Sequence, residues 1–76
     1  MKELLDFVAR HLVDNPDEVS VTETDRDGTL VLELRVAPED MGKVIGRQGR
    51  IVREIRILLK AAGQRNGQKI MVEIMD

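Results

Sequence analysis

Two runs of alternating apolar residues meet at Asp27-Gly28, and no other feature of the chain restricts its fold as much. Before the dipeptide, Val19 and Val21 alternate with Ser20 and Thr22. After it, Leu30, Leu32, Leu34 and Val36 alternate with Val31, Glu33 and Arg35. A period of two over both runs specifies half-buried strands. Asp27-Gly28 supplies the positive φ that a tight hairpin turn needs. One face of this hairpin has to be covered by something else in the chain.

Helical periodicity on both sides supplies the cover. Leu4, Leu5, Val8 and Leu12 recur at helical spacing, with Phe7 flanking them, and predict a helix over 2–14 that "DNP" at 14–16 ends, because Pro16 disfavours helical geometry at Asn15. Pro38 at a first helical position, with Glu39 and Asp40 in the first turn, starts a second helix that runs to about Ile45. Gly46 stops it, Gly49 permits a restart, and a third helix is predicted over about Arg50–Arg65. On its wheel Ile51, Val52, Ile55, Leu58, Leu59 and Ala62 share one arc, with Arg50, Arg53, Arg56 and Lys60 opposite. Asn66-Gly67 breaks the chain again. "QKIMVEIM" then reads as a closing strand with Ile70, Val72 and Ile74 on one face. The strand before the helical pair and the strand after it would lie parallel through a right-handed crossover. The expected fold is α+β, in the order α-β-β-α-α-β, with a three-stranded sheet covered on one face by three helices over residues 1–76.

A chain of 76 residues buries only about 60% of its unfolded surface, so a second copy or another partner would be a natural supplement to so thin a core. No apolar run reaches 18 residues, which excludes a membrane-spanning helix, and the acid-bearing N-terminus does not read as a signal peptide. With no cysteine there is neither a disulfide framework nor a thiolate metal site, and a reduced cytoplasmic setting is expected. His11 stands alone without metal-ligand spacing. Ser20, the only serine, has no neighbouring base, and the carboxylates are scattered. Catalysis, a metal and a cofactor are therefore not expected.

The charge is informative as a distribution. Residues 43–60 hold six bases (Lys43, Arg47, Arg50, Arg53, Arg56, Lys60) against Glu54, a local net of +5. The other residues hold six bases against thirteen acids, a net of −7, and the two regions give the overall −2. A basic stripe is set in an acidic body. Its centre is Gly46-Arg47-Gln48-Gly49. Taken alone, that spacing is an ordinary inter-helix turn. Here it feeds a helix N-terminus, where unpaired N–H groups and the positive end of the dipole suit an anion, and glycines let a phosphate chain come close. GxxxxGK[ST] and GxGxxG are both absent, so neither a mononucleotide loop nor a dinucleotide site is supported.

"VIGRQGR" between two helices, with a strand on either side, resembles the KH domain, whose GxxG loop clamps a four-nucleotide stretch of backbone. The extra N-terminal helix and strand resemble the type II topology, and the "DMGKVIGRQGRIVREIRILLKAA" segment is similar to small stand-alone bacterial members. The resemblance implies a non-catalytic single-stranded RNA-binding protein, an RNA chaperone or post-transcriptional regulator with links to cell elongation and division. Gly46, Arg47, Gln48 and Gly49 would grip phosphates, aided by Lys43, Arg50 and Arg53. Val44, Ile45, Ile51 and Val52, with part of strand 30–36, would border a groove for bases. It also implies a homodimer, a complex with a larger KH-containing bacterial protein, or both.

Phe7, the only aromatic, lies remote from the loop, so stacking of bases on exposed rings is not available. Ile57, on the basic side of the third helix, and Met71, on the outer sheet face, are candidates for a dimer or partner contact. A second reading is kept: an interaction module with this fold, or a ribosome-associated subunit, for which RNA affinity is secondary.

Overall fold

The computed structural model describes residues 1–75. Its elements are α1 (Lys2–Leu12), β1 (Ser20–Arg26), β2 (Thr29–Arg35), α2 (Met41–Ile45), α3 (Arg50–Arg65) and β3 (Lys69–Met75), with single 3-10 turns at Pro16–Glu18, Pro38–Asp40 and Arg47–Gly49. The order α-β-β-α-α-β is the one the periodicities specify. β2 lies between the other strands, antiparallel to β1 and parallel to β3. Asp27 (φ 53°) and Gly28 (φ 87°) make the hairpin turn, and the Asp25 carboxylate accepts from the Gly28 N–H at 3.0 Å. Pairing continues to Arg26↔Thr29, so β1 is longer than its apolar stretch: Thr22–Arg26 are polar, exposed and held by the β2 ladder.

All three helices pack on one face of the sheet. Leu5 and Ala9 of α1, Val44 of α2, and Ile55 and Leu59 of α3 meet Val21, Leu32, Leu34, Ile70 and Val72 of the strands in one buried cluster. Removal of these side chains from water is the main stabilising term of so small a fold, about 1.5–3 kcal/mol for each large aliphatic. The opposite face carries Thr22, Thr24, Glu33, Arg35, Lys69, Met71 and Glu73. Val31 lies there too, buried between its cross-strand partners Thr24 and Met71.

Three local departures from the periodic reading have physical causes. α1 ends at Leu12 rather than residue 14, with Val13 extended (φ −105°, ψ 161°), because the next two backbone N–H groups turn to another partner, the Asp40 carboxylate. The helix expected from Pro38 opens as a 3-10 turn and becomes α-helical only at Met41. Leu58, placed with the buried arc of α3, is 52% exposed. Leu58 lies at the margin of that arc, whose buried members are Val52, Ile55 and Leu59.

Candidate nucleic-acid interface

The loop between α2 and α3 owes its shape to its own residues. Gly46 (φ 75°, ψ 178°) occupies backbone space open essentially to glycine alone, and a Cβ there would stand 2.6 Å from Ile51 Cγ1. Gln48 (φ 56°) and Gly49 (φ 73°) are left-handed, and Arg50 returns to the right-handed helix. Such an alternation turns successive N–H groups into an anion-binding concavity. The Gly46 carbonyl accepts from the Gly49 N–H at 3.2 Å and closes the turn. No side chain caps α3; the Gly49 and Arg50 N–H groups are used within the turn, by the Gly46 and Arg47 carbonyls, and the positive end of the helix faces the loop.

The expected site residues divide into three groups. Arg47, Gln48, Arg50 and Arg53 line one concavity of about 480 Å³, together with Glu54 and Ile57. Arg53 donates to the Gln48 carbonyl at 3.2 Å and braces the loop, while Arg50 meets Glu54 at 3.3 Å in an exposed pair. Such a pair is weak enough for a phosphate to displace. The Arg47 side chain has no hydrogen bond or ion pair among the described residues and is exposed, while its carbonyl accepts from the Arg50 N–H. Val44 and Val52 are buried beneath the loop and belong to the core, whereas Ile45 and Ile51 are half-buried at its edge.

Lys43 stands apart. Its Nζ lies 3.1 Å from Asp14 Oδ2 and 3.7 Å from Asp40 Oδ1, on the side of α2 that faces the end of α1. Asp40 is fully buried and accepts from the Asn15 N–H and Asn15 Nδ2 at 3.0 Å each and from the Asp14 N–H at 3.3 Å. Burial pushes this carboxyl up. The Asn15 amide, the two backbone N–H groups and the Lys43 charge outweigh burial and hold it below its ordinary value. Lys43 is in turn raised, chiefly by its hydrogen bond to Asp14 and by the Asp14 charge. Lys43 therefore serves a clasp between two helices. The partners lie 25 residues or more away from Asp40 in sequence, so no local pattern announces it.

A second concavity lies between α3 and β3 and shares no lining residue with the one at the loop. It measures about 570 Å³ and is lined by Arg56 and Lys60 of α3, by Lys69–Glu73 of β3 and, at one end, by Thr29 of β2. β2 is the central strand, with Leu32 and Leu34 fully buried, and its residues 30–36 line neither concavity. Arg56 lies on the β3 margin of α3 rather than opposite the buried arc, and its Nε donates to the Val72 carbonyl at 3.3 Å. Sequence reasoning gave this residue no part in the site. The signal was present in the wheel, where Arg56 lies one turn from Val52 and from Lys60, but which neighbour that margin meets depends on how α3 crosses the sheet.

A strand, two helices joined by a Gly-x-x-Gly turn with an uncapped, arginine-ringed helix start, and a second strand parallel to the first define a KH domain. The added N-terminal helix and strand give its type II arrangement. The sequence model described as "KhpA/KhpB, KH domain" matches residues 2–74, and the chain belongs to that family. Its relatives include "RNA-binding protein KhpA" of Clostridium acetobutylicum, 53% identical over 75 residues that cover 99% of this chain and all of that protein. Proteins of the same name from Aquifex aeolicus (46% identity, 100% of this chain and 96% of that one) and Treponema pallidum (48%, 99% and 94%) are similar along the same span.

Proposed function

We propose that residues 1–76 act as one KH domain that binds single-stranded RNA without catalysis. The backbone is held by the Gly46–Gly49 turn and by Arg47, Arg50 and Arg53, and bases lie along the α3–β3 groove. The observation that carries this reading is the coincidence of the open, uncapped start of α3 with three arginines around one concavity. Relatives named as RNA-binding proteins support it. The role that fits is an RNA chaperone or post-transcriptional regulator in the cytoplasm, linked to cell elongation and division. No described helix is long and apolar enough to cross a membrane.

Ile57 and Leu58, 62% and 52% exposed on successive positions of α3, favour a second element of the reading: association through this helix with a second copy or with KhpB, whose KH domain the same family model describes. Met71, 48% exposed on the outer face of the edge strand β3, is a separate contact candidate.

The test is RNA binding by fluorescence anisotropy, wild type against Gly49→Asp. Gly49 is the better position because a Cβ there meets nothing within 4 Å and aspartate tolerates the left-handed region, so the variant folds while placing negative charge where phosphate sits. Salt-sensitive binding that the folded variant loses is the expected result. Equal binding by both proteins would overturn the clamp and favour the interaction module.

A further inference from the structure

The outer face of the sheet has no helix over it, and its charges are arranged in rows across the strands. Glu33 of β2 and Glu73 of β3 stand directly opposite each other, while Arg26 and Lys69 share the row at the hairpin end, joined by Thr29. None of these four charged groups forms an ion pair among the described residues. Like charges in directly opposed positions of a sheet are unfavourable, so the isolated chain leaves its two acids unmatched. Between the acidic and the basic row lies an apolar one, with Val31 1% exposed and Met71 48% exposed. Acidic, apolar and basic rows thus follow one another in two-residue steps, about 7 Å apart.

We propose that this face docks on the same face of a second copy, with the two sheets antiparallel and the two-fold axis crossing the strands at the row of Val31 and Met71. Such an axis reverses the order of the rows and keeps each strand on its own counterpart. Lys69 then lies on the partner's Glu73, Arg26 lies on the row that holds the partner's Glu33, and Met71 meets its own copy at the axis. A two-fold along the strands leaves the rows in place and sets Glu33 on Glu33 and Arg26 on Lys69, so charge selects the first arrangement. Pairing edge to edge through β3 is disfavoured, because the Val72 carbonyl in the middle of that strand already accepts from Arg56. Three strands of seven residues make a face of about 14 by 23 Å. That is less than the ~800 Å² per partner of a stable interface, so the dimer is one of high protein concentration and low salt. The helices stay outside, both Gly46–Gly49 loops remain open, and self-association is read independently of RNA.

Sedimentation velocity over a concentration series at two salt concentrations tests this, on wild type, Lys69→Glu and Glu73→Lys, each checked for folding by circular dichroism. Wild type is expected to pass from monomer to dimer as concentration rises, with less dimer at high salt. The two-fold repeats each contact, so either substitution turns two attractions into two repulsions and raises the midpoint about tenfold. An equimolar mixture of the two variants regains the dimer, because each brings the charge that the other has lost. Positions 69 and 73 lie about 13 Å apart along β3, so this recovery cannot arise within one chain, nor from a damaged fold. Wild type that stays monomeric at every concentration overturns the inference, while the RNA-binding reading stands. A dimer that both variants leave intact and Ile57→Asp abolishes is held by α3, and overturns it too. Variants that lose the dimer and do not regain it on mixing overturn the antiparallel arrangement, and the inference with it.

Discussion

At Gly46 a methyl group would stand 2.6 Å from Ile51, whereas at Gly49 it would meet nothing within 4 Å, although both residues have positive φ. The two glycines of the motif therefore answer different demands. At Gly49 the demand is purely conformational, and alanine there should cost about 1 kcal/mol, the ordinary penalty of the left-handed region. Gly46 adds a steric demand to a backbone geometry that other residues hardly enter, so Gly46→Ala should cost about 3 kcal/mol. Urea denaturation of the two variants measures the difference directly. Equal losses would mean that Ile51 yields freely and that the packing of the first turn of α3 onto the loop contributes little. Both glycines were legible in the sequence as a break between helices. Their inequality was not, because it depends on where Ile51 points once α3 has formed.

Between elements, the clasp at Asp40 decides how α2 sits against the end of α1, and α2 leads directly into the loop. A buried carboxylate with three donors from residues 14 and 15 and a lysine nearby is stabilising only while it is charged. Its pKa is lower folded than unfolded, so its contribution is complete above the ordinary carboxylate value and is lost as pH falls through the folded value. Lys43 has the opposite sign: its pKa is raised, and its contribution disappears only as pH climbs beyond the ordinary lysine value. At neutral pH both contributions are intact. Thermal melts across pH should show Tm dropping on the acid side, and Asp40→Asn should flatten that drop while lowering Tm at neutral pH. An unchanged acid limb in Asp40→Asn would assign the acid sensitivity to other carboxylates. The elements themselves were readable because period and turn chemistry are local. α3 is found over Arg50–Arg65 as its wheel specifies, and the strands differ from expectation by a few residues at their ends. The relations between elements were not readable. The Asp40 clasp, the exposure of Leu58 and the turn of Arg56 toward Val72 are all set by how helices cross the sheet.

For the whole molecule the distribution of charge matters more than its sum. Residues outside 43–60 carry a net −7, which disfavours a polyanion over much of the chain and leaves 43–60 as the segment that attracts one. Within that segment Arg47, Arg50 and Arg53 surround the uncapped helix start, and each that neutralises a phosphate displaces a cation condensed on the strand. Three such contacts on a single strand predict a slope of about −2 for log K against log salt, since each contributes about −0.7. Arg47→Ala should make the slope shallower by about 0.7 and weaken every sequence alike, because the Arg47 side chain is exposed and tied to nothing else among the described residues. Arg26, at the far end of the outer sheet face, carries the same charge and serves as the control: Arg26→Ala should leave the slope unchanged. A titration series over several salt concentrations reads all three slopes. If Arg26→Ala and Arg47→Ala alter the slope equally, attraction is a property of overall charge and the loop has no special hold on phosphate. If only Arg47→Ala does, the acidic body and the basic stripe act together, the one refusing and the other admitting the same ligand.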